Sequence, residues 1–186
     1  MKKDLGIINK NNCVLLVIDV QEAFEKVIHD FGNTVRNIEK LIKVFNLLKM
    51  PIILTEQHPK GLGKTIKPIN NLLKNNSKII EKTEFSCFDN KKFSSIIKKY
   101  KIKNIIVCRI EAHICVLRTL LSGIKSNYNM HLVVDAVSSR RLTDKNIAIE
   151  RAKQINVYLA TTESIIFQLI TSSKDSNFKK IINIVK

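Results

Sequence analysis

Three side chains able to take part in covalent chemistry stand just past apolar runs: Asp19 after VLLVI, Lys82 after KIIE, and Cys115 after IIVC and a polar bend. A thiol ionises near pH ~8.5 and is mostly protonated at neutrality, so a nucleophilic cysteine needs a cation, a base or a helix N-terminus beside it. Lys82 is a candidate cation and Asp19 a candidate base. Val116, Leu117, Leu120, Leu121 and Ile124 recur at helical spacing, which puts Cys115 at a helix start. Backbone N–H groups there lack intrahelical partners and favour a thiolate. Each residue also has an ordinary reading. An unpaired cysteine in apolar sequence is a small core residue, a strand-end aspartate forms a turn, and a lysine past a strand is solvated. The fold decides between the two readings by bringing the three to one edge or scattering them.

The elements that must position these groups follow from periodicity. Residues 14–18 form an aliphatic run suited to a strand buried on both faces; Asp19 ends it, and Gln21 and Phe24 follow. Val35, Ile38, Leu41, Ile42, Phe45 and Leu48 predict a helix over 33–49 with one apolar stripe, stopped at Met50-Pro51. A second strand over 52–55 ends in Glu56 and opens into QHPKGLGKTIKP, a loop with no hydrophobic period and of a length that is usually functional or mobile. A third strand over 78–81 delivers Lys82, and a helix over about 91–100 follows TEFSCFDN. Strand four, 105–107, leads to Cys115 and its helix. Strand five, 131–137, ends near Asp135, and Thr143 is the expected N-cap of a helix through Gln154. A short strand over 157–160, a helix over 163–170 capped by Thr161 or Thr162, and an amphipathic helix or packing arm FKKIINIVK complete the chain. Alternation of this kind predicts an α/β fold with a mostly parallel sheet covered on both faces. Ligands in such sheets bind outside the carboxyl ends of the strands, the edge to which Asp19, Lys82 and Cys115 all fall.

Length and composition narrow the function classes. The 186 residues suit a single domain over 1–186, and no segment approaches the ~20 uninterrupted apolar residues of a membrane span. The N-terminus has neither an apolar signal core nor the Arg/Ser-rich character of a transit peptide, so the expected location is the cytoplasm, with mitochondrial import left open. Cys13, Cys87, Cys108 and Cys115 show no CxxC or His-spaced pattern, so neither disulfides nor structural zinc is expected, and the first three read as packing residues. The net charge of +16, from 32 basic and 16 acidic residues, invites a nucleic-acid reading, but the lysines are spread along the chain rather than clustered.

VLLVIDVQEAF, KTEFSCF and IEAHICVLRTLL resemble the three motifs of the isochorismatase-like cysteine hydrolases. LTEQHPKGLGKT, LVVDAVSSR and ATTESIIFQLI extend the likeness over about 14–186, and are similar to the isochorismatase domain-containing protein 2 (MAR1-like) branch. The resemblance implies a three-layer doubly wound α/β fold with a six-stranded, mostly parallel sheet. It also implies Asp19 as proton-transfer carboxylate, Lys82 as its cationic partner, Cys115 as nucleophile, and a cis peptide between Ile110 and Glu111 beside the oxyanion site. Gln21, Phe24 and Ala112 are the candidate substrate contacts. Two positions depart from the family pattern: Arg109 stands where Gly is usual, either pointing away from the site or intruding on it, and Ala112 replaces a frequent Thr. Related nicotinamidases hold a metal with an Asp and two His after strand two; here His58 is the lone imidazole of that stretch, so no metal is expected, and no cofactor. His113, two residues before Cys115, is disfavoured as its base because adjacent turn residues rarely face one another.

The expectation is therefore a metal-independent cysteine hydrolase acting on an amide, ester or related C–N bond of a small molecule, assembled as a homo-oligomer. Its rivals are a catalytically silent binding or scaffold protein, suggested by Arg109, and a ribonuclease or nucleic-acid-binding protein, suggested by charge. Retention of the cysteine argues against isochorismate as substrate, since vinyl-ether hydrolysis proceeds without this nucleophile.

Overall fold

In the computed structural model, which describes residues 5–186, six strands form one sheet: β1 (Cys13–Ile18), β2 (Ile52–Gln57), β3 (Ser77–Lys82), β4 (Asn104–Ile110), β5 (Asn129–Ser138) and β6 (Tyr158–Ala160). Their order is β3-β2-β1-β4-β5-β6, and every pairing is parallel. The order reverses between β1 and β4, which makes the crevice beyond their carboxyl ends the expected binding position. The helices are α1 (Phe31–Leu47), α2 (Pro59–Leu62), α3 (Lys67–Asn70), α4 (Lys91–Lys99), α5 (Leu117–Lys125), α6 (Leu142–Gln154), α7 (Thr162–Leu169) and α8 (Phe178–Val185). A π-helical turn, Ala112–Val116, precedes α5. Among the described residues no helix is long and apolar enough to cross a membrane.

Period-two alternation along β1 divides the core into two layers. Cys13, Leu15 and Val17 pack with Ile38, Leu41, Ile42 and Phe45 of α1 and with Ile165 and Ile166 of α7. Val14, Leu16 and Ile18 pack with Phe93 and Ile97 of α4, Leu120 of α5 and Ala148 and Ala152 of α6. All six β1 residues are fully buried, which is why the strand reads as an unbroken aliphatic run. β3, at the sheet edge, contributes one buried apolar side chain, Ile80.

Several elements differ from the sequence expectation, each for a local reason. The stretch after β2 is not a bare loop: it folds α2 and α3, and Thr65 donates through both its backbone N–H and its hydroxyl to Glu56 Oε1 at 2.7 Å. An isolated bridge between Gln21 and Thr65 pins it further. Thr143 does not cap α6, whose N-cap is Arg141 without a side-chain cap; the helix begins two residues earlier than a Thr143 cap would set it, at the half-exposed Leu142. Asp135 lies inside β5, where the β4–β5 register shifts, and accepts from the Thr162 backbone at 2.8 Å and hydroxyl at 2.9 Å. α7 is capped by Thr161 in a reciprocal capping box with Ser164.

Candidate active site

Asp19 is the first residue past β1, and its backbone N–H still donates to Thr55 O of β2 at 3.0 Å before the chain turns with φ of 53°. Aspartate tolerates this left-handed conformation better than most non-glycine residues, and such residues cluster at functional sites. The register sets its neighbours, because Ile18 lies between Thr55 on β2 and Arg109 on β4. The Thr55 hydroxyl donates to Asp19 Oδ1 at 2.6 Å, while Lys82 Nζ and Arg109 Nη2 each donate to Oδ2 at 2.9 Å. Both oxygens of the carboxylate are thus engaged, and Asp19 is fully buried.

Lys82 reaches Asp19 from the outermost strand. With neighbouring strands ~4.8 Å apart, β3 lies about 10 Å from β1, so only a long side chain passes over β2. The ammonium also donates to Gln57 Oε1 and to Glu84 O, the latter at 3.2 Å, which uses its three protons. A cavity of about 400 Å³, lined by His58, Lys60, Glu81, Lys82, Glu84 and Asn90, opens on this side.

Cys115 lies in the π-helical turn between β4 and α5 rather than in the first turn of a regular α-helix, and is 3 % exposed. π-turns inside helices occur frequently at functional positions. The Ile110–Glu111 peptide is cis, as the family resemblance implies. In the same turn the Ala112 N–H donates to Ser139 Oγ at 3.1 Å, so this N–H is not open to a substrate. Glu111 accepts from Arg140 Nε at 2.8 Å. His113 Nδ1 faces Ser139 Oγ at 3.1 Å.

The other candidate contacts have structural partners. The Gln21 side chain donates to Gln57 O at 3.0 Å and Gly63 O at 2.6 Å and accepts from the Gln57 N–H at 2.8 Å, which ties the segment after β2 to β1 and leaves its amide committed. Phe24 packs against the layer containing α1, whereas Cys115 belongs to the opposite layer. Ala112 is fully buried. Among the described residues no three His, Cys, Asp or Glu side chains group as a metal site would require.

Two site residues escape sequence reasoning. Arg109, visible as a departure from the family pattern, intrudes: its side chain is 2 % exposed, its Nε donates to Ile110 O, and its Nη2 reaches Asp19. Thr55 reads in sequence only as a β-branched strand residue. Cys87 is buried in the same core layer as Cys115. Its backbone N–H donates to Thr119 Oγ1 at 3.1 Å, one helical turn beyond Cys115. Burial pushes the Cys87 thiol up to about 12, with the Asp19 charge adding to the rise and Lys82 opposing it. Burial likewise raises the thiols of Cys13 and Cys108.

Comparison with known proteins agrees with this architecture. The isochorismatase domain model matches residues 13–164. Isochorismatase family protein 1A of Dictyostelium discoideum is 39% identical over 97% of this chain and 89% of its own length. Isochorismatase domain-containing protein 2 of Danio rerio is 37% identical over 95% and 88%. The solved structure described as MAR1 ribonuclease from Caenorhabditis elegans superposes with a TM-score of 0.91 at 37% identity, covering 96% of this chain and 91% of that one. With the strand order and the matched motifs in place, the chain belongs to the isochorismatase domain family.

Proposed function

We propose that the protein is a metal-independent cysteine hydrolase that cleaves an amide, ester or related C–N bond of a small molecule. The observation that carries this reading is the buried Asp19–Lys82 ion pair at the switch point of the sheet, with a lone thiol, Cys115, in the turn that follows the adjacent strand. Asp19 takes the proton from Cys115 Sγ, and the thiolate forms a bond to the carbonyl carbon as the C=O π pair moves to oxygen. Backbone N–H groups of the turn after β4 hold the oxyanion. Collapse of the tetrahedral adduct expels the amine or alcohol, which receives the proton from Asp19. Water then attacks the thioester, giving its proton to the same carboxylate; collapse breaks the C–S bond, and the departing thiolate takes that proton back from Asp19 as the carboxylic acid is released. Lys82 keeps the carboxylate in place through both halves.

The same reading makes residues 1–186 one catalytic domain of a homo-oligomer, and the reduced thiol it needs suits the cytoplasm. A ribonuclease role is the second reading, supported by the printed name of the C. elegans relative and by the net charge of +16. Burial of Asp19, Arg109 and Cys115 favours a small molecule over a polymer. Limited alkylation of the native protein near neutral pH, read by mass spectrometry, tests the nucleophile. Cys115 should label well ahead of Cys13, Cys87 and Cys108, and Cys115→Ala should lose turnover on any ester or amide the protein hydrolyses. Equal labelling of the four thiols, with no ester or amide turned over, points instead to a silent binding protein, and turnover surviving in Cys115→Ala overturns Cys115 as the nucleophile. RNA affinity that falls steeply with salt and is indifferent to Cys115→Ala supports the second reading.

A further inference from the structure

Asp19 is a poor proton acceptor while two cations and a hydroxyl donate to it. Oδ1 holds the Thr55 hydroxyl, and Oδ2 holds both Lys82 and Arg109. The two cations differ in how well they are satisfied. Lys82 uses its three donors on Asp19, Gln57 and Glu84. Arg109 places Nε on Ile110 O and Nη2 on Asp19, and its Nη1 is buried with no hydrogen-bond partner. A guanidinium nitrogen taken out of water and left unpaired is costly, and such groups are rare without a functional reason.

Charge reinforces the geometry. Lys82 and Arg109 face one shared carboxylate, so this buried trio carries a net positive charge. The other buried carboxylates nearby in sequence are engaged elsewhere, Glu56 with Thr65 and Glu111 with Arg140. Arg109 also stands on the strand that leads directly into the Cys115 turn, at the end where substrate must lie.

We propose that Arg109 is an anion receptor that selects substrates bearing a carboxylate or comparable oxyanion near the scissile carbonyl. The inference rests on the cysteine-hydrolase reading and names the substrate class for that site. The free Nη1 engages the incoming anion first. The planar fork then rotates to bind it with both nitrogens, as guanidinium groups do with carboxylates. Release of Oδ2 by Nη2 leaves Asp19 with Lys82 and Thr55 and opens it to the Cys115 proton. A neutral substrate offers Arg109 no reason to leave, so recognition and activation are one event.

Paired alkylation at Cys115 tests this without a known substrate. The same thiolate displaces iodide from iodoacetate and from iodoacetamide, so changes in thiol ionisation cancel from the ratio of their rates, and only the preference for an anionic reagent remains. The iodoacetate to iodoacetamide ratio at Cys115 should exceed that of a small free thiol by about ten-fold or more, as one charge-assisted contact provides. Arg109→Gln should abolish the excess, and Arg109→Lys should keep part of it, with circular dichroism confirming that both variants fold. If Cys115 is selectively reactive but the ratio is the same in wild type and Arg109→Gln, the receptor role is refuted and the hydrolase reading stands. Faster labelling by both reagents in Arg109→Gln means that Arg109 is a plug, which also refutes it. No selective labelling of Cys115 by either reagent overturns the hydrolase reading itself, and the receptor role with it.

Discussion

Exchanging Asp19 for asparagine keeps the volume of the side chain and deletes the single negative charge that Lys82 and Arg109 share. None of the three is more than 3 % exposed, so neither cation can turn to water without opening the core. Removing one partner of a buried pair costs about 3–5 kcal/mol, mostly because the remaining charge stays buried and unpaired. With two cations left on one amide, Asp19→Asn belongs at the upper end, about 4–5 kcal/mol by the same reasoning. For a chain of this size that corresponds to a fall in Tm of roughly 10–20 °C. Arg109→Met is the informative counterpart, because Asp19 then keeps Thr55 and Lys82 and its loss should be near 1–2 kcal/mol, that of a charged hydrogen bond with packing largely retained. In the double variant only Lys82 is orphaned, so the combined loss should fall short of the sum by at least about 1.5 kcal/mol. Urea unfolding followed by far-UV circular dichroism measures all three, provided the m-values agree. A loss below about 1 kcal/mol for Asp19→Asn, or strict additivity in the double variant, would refute a carboxylate shared by two buried cations.

Two further outcomes follow from other parts of the molecule. Burial holds Cys13, Cys87 and Cys108 protonated in the folded state, while the unfolded chain's thiols ionise from the ordinary value of 9.0. Above that pH the unfolded state sheds protons first, so these thiols support folding below pH 9 and lose that contribution as pH rises. At pH 10 each costs roughly 1 kcal/mol and the three together a few kcal/mol. Urea midpoints at pH 8 and 10 read the drop, and a Cys13→Val/Cys108→Val variant should show about one third of it; an unaltered drop in that variant would rule the thiols out. Metal removal should change neither activity nor the unfolding midpoint, because Glu56 is held by Thr65, Glu111 by Arg140, and His58 converges with neither as part of a three-ligand group. Activity lost to a chelator and restored by zinc would contradict the metal-free mechanism.

Legibility in the sequence differed from residue to residue. Asp19 and Lys82 could be found because each follows a run whose apolar character marks a strand, and parallel strands present their carboxyl ends on one edge. Cys115 was placed correctly between strand and helix, but periodicity could not distinguish the π-turn from the first turn of α5. Arg109 could be flagged but not oriented, because its direction depends on the β1–β4 register that sets it beside Ile18, one residue short of Asp19. Thr55 was invisible for the same reason, since cross-strand register is not encoded locally. Asp135 was misplaced as a strand terminus because an irregularity in β5 leaves no compositional trace. The bonds by which Gln21, a candidate substrate contact, anchors the segment following β2 are tertiary and leave no local signal.

The position of Lys82 has a consequence for the sheet itself. β3 is an edge strand with one apolar anchor, Ile80, and its carboxyl end is secured by the ammonium that crosses β2 to reach Asp19. The ion pair is therefore a clasp on one margin of the sheet. Peeling of β3 and dismantling of the Asp19 site are a single local opening, governed by one equilibrium below the free energy of global unfolding. Amide protons of β3 should accordingly lose protection on warming ahead of the central strands, and anything that fills the site should slow exchange along the whole edge strand, not only beside Lys82.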